Sequence, residues 1–278
     1  RVLETITSMR CDLVLTAHPT EITRRTLIQK YNRIASALND VNEDKELDTQ
    51  ERLDLERLIA EVWFTDEIRT ERPTPQDEAK WGYAVIEHSL WSAIPRLWNR
   101  LSELTLKVTG ETLPLSVAPI KISSWMGGDR DGNPNVTADV TKEILRLARW
   151  MAADLYLRDV EELLSQLSMS NCSSELAAEC PQGVDEPYRH ILRSLRERLA
   201  ATRTWAETSE PPEPGLIHSD ADLIAPLQLC YDSLLLCGMD IIADGLLKET
   251  LIRANTFGVT LVELDIRQSS DKHIELLD

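Results

Sequence analysis

A histidine at the end of an apolar run is the first residue whose position suggests chemistry. The run covers residues 13–17, His18 follows it, and Pro19 and Thr20 come next. The run predicts a buried strand, Pro19 ends that strand, and Thr20 can cap the helix that follows. A histidine at the carboxyl end of a strand is well placed to act as an acid or base near neutral pH. A turn histidine bonded to a nearby carbonyl explains the same pattern.

A glycine-rich and acidic segment is the second candidate. It is Ser-Trp-Met-Gly-Gly-Asp-Arg-Asp-Gly-Asn-Pro-Asn, residues 124–135. Glycines let a backbone approach a ligand closely. A calcium loop begun at Asp129 is excluded, because Pro134 stands where glycine is needed and Val140 where glutamate is needed. The acids either face a ligand or bond the backbone of their own turn, and the sequence leaves both open.

Arg267 follows a third strand-like segment, residues 259–266. Asp265 lies two residues before it, so strand alternation puts the two side chains on one face. One interpretation is an internal ion pair. The other is an arginine held by Asp265 and directed at a phosphate or carboxylate, which its planar fork binds through two hydrogen bonds.

Long helical patterns separate these strand ends. Strands are predicted over residues 13–17, 115–124 and 259–266, and helices over residues 21–38, 49–68, 75–98, 135–167, 187–205, 221–236 and 241–254. Pro95 predicts a kink near Trp91. Strands that each end in a motif after long helical insertions predict parallel strands of one barrel or sheet.

Composition narrows the class of protein. The 278 residues suffice for one or two domains, and no apolar run approaches the roughly 20 residues that span a membrane. The five cysteines show no metal-ligand spacing, which predicts reduced thiols in a cytoplasmic protein. A net charge of −17 argues against nonspecific nucleic-acid binding. The chain begins at Arg1 and stops within a helical pattern, so we expect an internal segment, incomplete at both ends.

Together the three motifs resemble the phosphoenolpyruvate carboxylase family. They are Thr-Ala-His-Pro-Thr-Glu with a following Arg-Arg pair (residues 16–25), the block at 124–135, and Leu-Asp-Ile-Arg-Gln at 264–268. The resemblance implies that residues 1–278 are part of a single catalytic unit. It also implies a strongly helix-dominated α/β fold that contributes the first strands of a partial (β/α)8-type barrel.

The resemblance implies a carboxy-lyase that joins phosphoenolpyruvate and bicarbonate to give oxaloacetate and phosphate, replenishing the four-carbon acids of the tricarboxylic acid cycle. His18 matches the base that removes the carboxyl proton of carboxyphosphate, and Arg267 is the second catalytic candidate. Trp125 matches a tryptophan beside the carbon dioxide pocket, where an apolar wall excludes water. The predicted substrate pocket consists of Trp125, Gly127, Gly128 and Arg130.

The family also implies regulation and a metal. Arg24, Arg25 and Arg69 match a site for phosphorylated or acidic effectors near a subunit interface, although surface salt bridges explain the same arginines. Magnesium or manganese is expected in the full-length enzyme, with no ligand assigned in this sequence. A homo-oligomer, specifically a tetramer, is expected when the chain is complete, and neither nucleic acid nor a membrane is expected as a partner.

Two other functions fit parts of the sequence. A phosphotransferase would phosphorylate His18 itself, giving a heat-labile phosphohistidine after incubation with phosphoenolpyruvate. A helical interaction scaffold would leave the three strand-end motifs unexplained, and it predicts no loss of function when His18 alone is changed.

Overall fold

The computed structural model describes residues 2–16, 25–41, 48–66, 73–131, 133–208 and 215–277. Its strands are β1 (Cys11–Leu15), β2 (Ile120–Ser124) and β3 (Glu263–Leu264). Its α-helices are α1 (Val2–Thr7), α2 (Arg25–Val41), α3 (Thr49–Trp63), α4 (Pro75–Val85), α5 (Trp91–Thr109), α6 (Ala138–Gln166), α7 (Ser174–Ala178), α8 (Pro187–Thr208), α9 (Asp220–Leu236), α10 (Asp240–Ala243), α11 (Leu246–Phe257) and α12 (Ser270–Leu277). The predicted helix-dominated α/β class is confirmed.

The strands form one parallel sheet in the order β1-β2-β3. Leu15 pairs with Ser124 across β1 and β2, and Ser124 pairs with Leu264 across β2 and β3. The carboxyl ends of all three strands therefore meet at one edge of the sheet. The parallel arrangement agrees with the prediction, because the chain crosses back through helices between successive strands.

The third strand is much shorter than the segment predicted for residues 259–266. Gly258–Thr260 is a 3₁₀ turn, and Leu261 has a φ of +65°, which interrupts an extended chain. The apolar side chains of Val259, Leu261 and Val262 are instead buried in the core of the helical layer. Their hydrophobicity reflects this packing and not strand pairing.

Helix α6 forms the centre of the core. It packs chiefly against α8 and also contacts α4 and α11. Its fully buried apolar side chains lie on several sides of the helix, which suits a helix surrounded by others. No described helix combines the length and apolar character required of a membrane span.

A kink near Trp91 is predicted from Pro95, and the helix is irregular at that point. A π-helical turn, Ile86–Leu90, separates α4 from α5. Pro95 has no N–H to bond the carbonyl of Trp91, and the Nε of Arg253 donates to that carbonyl at 2.8 Å. Arg253 is buried and also pairs with Asp159 at 2.9 Å, so one arginine joins α5, α6 and α11.

Other helix predictions needed correction in their bounds, and the helix expected over residues 49–68 ends at Trp63. The helix expected over residues 75–98 continues to Thr109, where Gly110 ends it with a φ of +78°. The helix expected over residues 241–254 is divided into α10 and α11, with Gly245 at the start of the second.

Candidate active site

Backbone hydrogen bonds extend the sheet beyond its strands and join the predicted motifs. The N–H of Trp125 donates to the carbonyl of Leu15 at 3.0 Å, and the N–H of Asp265 donates to the carbonyl of Ser124 at 2.9 Å. The glycine-rich segment therefore begins at the point where three strands end together. This edge is where parallel α/β folds place their ligands.

The first turn of the glycine-rich segment is tight. The N–H groups of Gly128 and Asp129 both donate to the carbonyl of Trp125, each at 2.9 Å. Gly127 has a φ of +80°, and a Cβ on it would lie 2.2 Å from the Cδ1 of Ile144. A Cβ on Gly128 would lie 2.2 Å from the carbonyl oxygen of Asp265. A side chain at either position would collide with these groups, so close packing of the turn requires glycine at both.

The turn also pairs with the chain after β3. The N–H of Arg267 donates to the carbonyl of Gly128, and the N–H of Arg130 donates to the carbonyl of Arg267, each at 2.9 Å. These two bonds make a parallel bridge between Asp129 and Arg267. Two segments predicted separately from the sequence are thus brought together by the backbone.

Arg267 is positioned by an aromatic ring and a carboxylate. Its guanidinium carbon lies 4.1 Å from the centroid of the Trp125 ring, close enough for a cation–π interaction. Its Nη1 lies 3.5 Å from Oδ2 of Asp129. The Arg267 side chain is 44% exposed, so this ion pair adds little stability and chiefly limits the orientation of the guanidinium.

The carboxylate that pairs with Arg267 was predicted wrongly. We expected Asp265, but the described acidic partner is Asp129. The strand alternation behind that expectation ends with β3 at Leu264, whereas the bridge to the glycine-rich turn sets Asp129 beside Arg267. Asp129 also accepts the N–H of Asp131 at 3.2 Å, so it bonds its own turn as well.

Arg130 is held by α6. Its Nη2 lies 3.3 Å from the hydroxyl of Thr141, and its Nε is buried without a hydrogen-bond partner among the described residues. The Thr141 hydroxyl is also 2.7 Å from the carbonyl oxygen of Gly127. Sequence reasoning missed Thr141. The available signal was its place one turn after Thr137, which caps α6.

Several predicted residues lie outside the described residues, namely His18, Arg24 and Arg69. Arg25 begins α2, but its side chain is likewise outside the described part. β1 ends at Leu15, three residues before His18, at the edge that carries Trp125. The roles assigned to these four residues remain predictions.

The described residues contain no group of three or more His, Cys, Asp or Glu side chains able to hold a metal ion. The described site therefore does not fit the divalent metal that the family resemblance implies.

A family model described as phosphoenolpyruvate carboxylase matches residues 1–278, the whole sequence. The chain belongs to the phosphoenolpyruvate carboxylase family. The resemblance carried by the three motifs is thereby confirmed.

Similar proteins named phosphoenolpyruvate carboxylase support the assignment. The chain is 53% identical over 281 residues to one from Pseudomonas aeruginosa, covering 98% of this chain and 32% of the relative. It is 56% identical over 273 residues to one from Pseudomonas fluorescens, covering 95% of this chain and 31% of the relative. A third, from Marinobacter nauticus, is 53% identical over 277 residues, covering 97% of this chain and 31% of the relative. The chain thus spans about a third of the length of the curated phosphoenolpyruvate carboxylases it matches.

Proposed function

We propose that the full-length protein containing this chain is a phosphoenolpyruvate carboxylase, and that this chain supplies part of its catalytic site. The observation that carries the proposal is the Arg267 guanidinium, which lies over the Trp125 ring and pairs with Asp129 at the carboxyl edge of the sheet. A guanidinium in this position suits an anionic substrate. Membership of the family supports phosphoenolpyruvate as that substrate.

Arg267 binds the phosphate or carboxylate of phosphoenolpyruvate in this proposal. A guanidinium presents several N–H donors in a plane, and the Asp129 contact involves Nη1. Trp125 provides an apolar wall beside neutral carbon dioxide and excludes water that would protonate the enolate. Arg130 and the tight turn at Gly127 and Gly128 complete the pocket, and the glycines contribute through the shape of that turn.

His18 acts after phosphoryl transfer. Bicarbonate attacks the phosphorus of phosphoenolpyruvate, the electrons of the broken P–O bond stay with the enolate of pyruvate, and carboxyphosphate forms. His18 takes the carboxyl proton of carboxyphosphate, whose decarboxylation then releases phosphate and carbon dioxide. The enolate carbon attacks carbon dioxide to give oxaloacetate.

The larger assembly is also proposed. The three parallel strands would belong to a (β/α)8-type barrel, the protomers would form a homo-tetramer in the cytoplasm, and Arg24, Arg25 and Arg69 would bind phosphorylated or acidic effectors. The divalent metal implied by the family, magnesium or manganese, has no part in the roles proposed for these side chains, since the described residues do not offer it a site.

His18→Asn in the full-length protein tests the function and the order of steps. Asparagine keeps a hydrogen-bonding side chain but cannot take a proton near neutral pH. We expect the rate of oxaloacetate formation to fall by about 10²–10⁴-fold, the loss typical of a removed general base, while phosphate and pyruvate continue to form. Oxaloacetate and phosphate are assayed side by side, with and without bicarbonate.

His218→Asn is the matched control, because His218 is exposed and lies outside the proposed site. Near-normal oxaloacetate formation by His18→Asn would remove His18 from the mechanism. Loss of both products, with folding and substrate binding intact, would place His18 at or before phosphoryl transfer. A phosphohistidine on the parent protein would favour the phosphotransferase.

A further inference from the structure

Thr141 joins the glycine-rich turn to the first turn of α6. Thr141 is buried, with 5% of its surface exposed. Its hydroxyl lies 2.7 Å from the carbonyl oxygen of Gly127, 3.1 Å from the carbonyl oxygen of Thr137, and 3.3 Å from Nη2 of Arg130. This buried hydroxyl therefore links the glycine-rich segment to α6 through three polar contacts.

The direction of these hydrogen bonds follows from the groups involved. A hydroxyl has one proton to donate, a carbonyl can only accept, and a guanidinium can only donate. Gly127 offers the closer carbonyl, so the Thr141 proton goes there. The hydroxyl oxygen is then free to accept from Arg130.

Arg130 depends on this one contact. The Thr141 hydroxyl is the single hydrogen-bond acceptor of its guanidinium among the described residues, and its Nε is buried without a partner there. The Arg130 backbone donates to the carbonyl of Arg267 at 2.9 Å. The orientation of Arg130 is therefore set by Thr141 at the guanidinium and by Arg267 at the backbone.

A second side chain of α6 also holds the glycine-rich turn in place. Ile144, three residues after Thr141, fills the space where a Cβ of Gly127 would lie, with its Cδ1 2.2 Å from that point. Gly127 is thus held by a hydrogen bond from one α6 side chain and by packing against another. The packing contact limits the position of the turn, whereas the Thr141 hydroxyl contacts both the turn and Arg130.

We infer that Thr141 is a positioning residue, which orients Arg130 and the Gly127 turn for binding an anionic substrate. This inference rests on the proposed function. Thr141 does not itself contact the reacting atoms. It acts through the guanidinium that its hydroxyl holds.

Thr141→Val in the full-length protein is the test, since valine keeps the β-branched shape and removes the hydroxyl. We expect the KM for phosphoenolpyruvate or for bicarbonate to rise by about tenfold, as for a lost hydrogen bond to a charged group, with kcat changing less than about threefold. The substrate whose KM rises identifies the anion that Arg130 contacts. Thr141→Ser keeps the hydroxyl and should restore a KM within about threefold of the parent value.

A double-mutant cycle separates positioning from packing. Arg130→Gln should raise the same KM, and adding Thr141→Val to it should change that KM less than about twofold.

Thr141→Ala is a second hydroxyl-free variant if the valine variant folds poorly. Unchanged KM values for both substrates in a folded hydroxyl-free variant would overturn the inference, as would equal effects of valine and serine. Carboxylase activity of the parent is measured first, so failure of the proposed function is seen separately.

Discussion

The guanidinium carbon of Arg267 lies 4.1 Å from the centroid of the Trp125 ring, although the two residues are far apart in the sequence. The guanidinium lies over this ring, and Oδ2 of Asp129 lies 3.5 Å from its Nη1. The backbone N–H of Arg267 is fixed separately by the carbonyl of Gly128. Arg267 is therefore oriented by three residues of a single turn.

Arg267→Lys should reduce kcat/KM for phosphoenolpyruvate by about 10–100-fold, because lysine keeps the charge but loses the planar fork. The thermal midpoint of unfolding should change little, since the side chain is 44% exposed. Steady-state kinetics and a thermal melt of the full-length variant provide the measurement. Kinetics equal to those of the parent would indicate that Arg267 has only a structural role.

Asp129→Asn should raise the KM for phosphoenolpyruvate by about three- to tenfold, because the amide no longer restrains the guanidinium by charge. Asp265→Asn is the matched control, since the structure pairs Arg267 with Asp129 and leaves Asp265 exposed. Steady-state kinetics of the two variants, measured side by side, show which carboxylate restrains Arg267. A larger rise in KM for Asp265→Asn would instead support the Asp265–Arg267 ion pair expected from strand alternation.

Gly128→Ala should reduce both activity and the yield of folded protein, because its Cβ would lie 2.2 Å from the backbone oxygen of Asp265. The backbone there cannot move without breaking the bridge between the turn and Arg267. Gly82→Ala is the control, since its Cβ would meet the movable end of Met126 at 2.1 Å. Soluble yield, thermal midpoint and turnover are compared, and equal tolerance of both alanines would contradict the close approach of Gly128 to Asp265.

Arg253→Met should destabilise the protein by about 3–5 kcal/mol near neutral pH, because it leaves the Asp159 carboxylate buried without its charged partner. It also leaves the carbonyl of Trp91 without its donor, since Pro95 cannot replace it. Arg100→Met is the control. Arg100 forms an exposed pair with Glu103, for which we expect about 0–1 kcal/mol.

The pH dependence of the Arg253 variant follows from Asp159. Burial raises the pKa of Asp159, while Arg253 opposes that rise, so removing Arg253 raises the pKa further. A carboxyl group with a raised pKa in the folded state lowers stability above its unfolded pKa, about 3.9, and this cost disappears as the group becomes protonated. The difference in urea midpoint between parent and variant should therefore narrow as the pH falls from 7 towards about 4. A difference that widens at low pH would exclude this account.

The three motifs and the helix-dominated class could be predicted from the sequence because their signals are local. An apolar run indicates a strand, and helical spacing indicates the segments between. The first strand was nevertheless predicted over residues 13–17 and as buried, whereas it covers Cys11–Leu15 and is mostly exposed. The irregularity before Pro95 was also predicted from a local signal, a proline inside a helical pattern. Family membership also followed from short runs of residues at 16–25, 124–135 and 264–268, and it is confirmed.

The tertiary structure decided which groups meet. The choice of Asp129 over Asp265 depends on the register between the glycine-rich turn and Arg267, and the role of Thr141 depends on how α6 docks against that turn. The shortness of β3 depends on the burial of Leu261 among helices. Each of these contacts joins segments that are distant in sequence, so its geometry is set by packing between elements and leaves no periodic signal within either one.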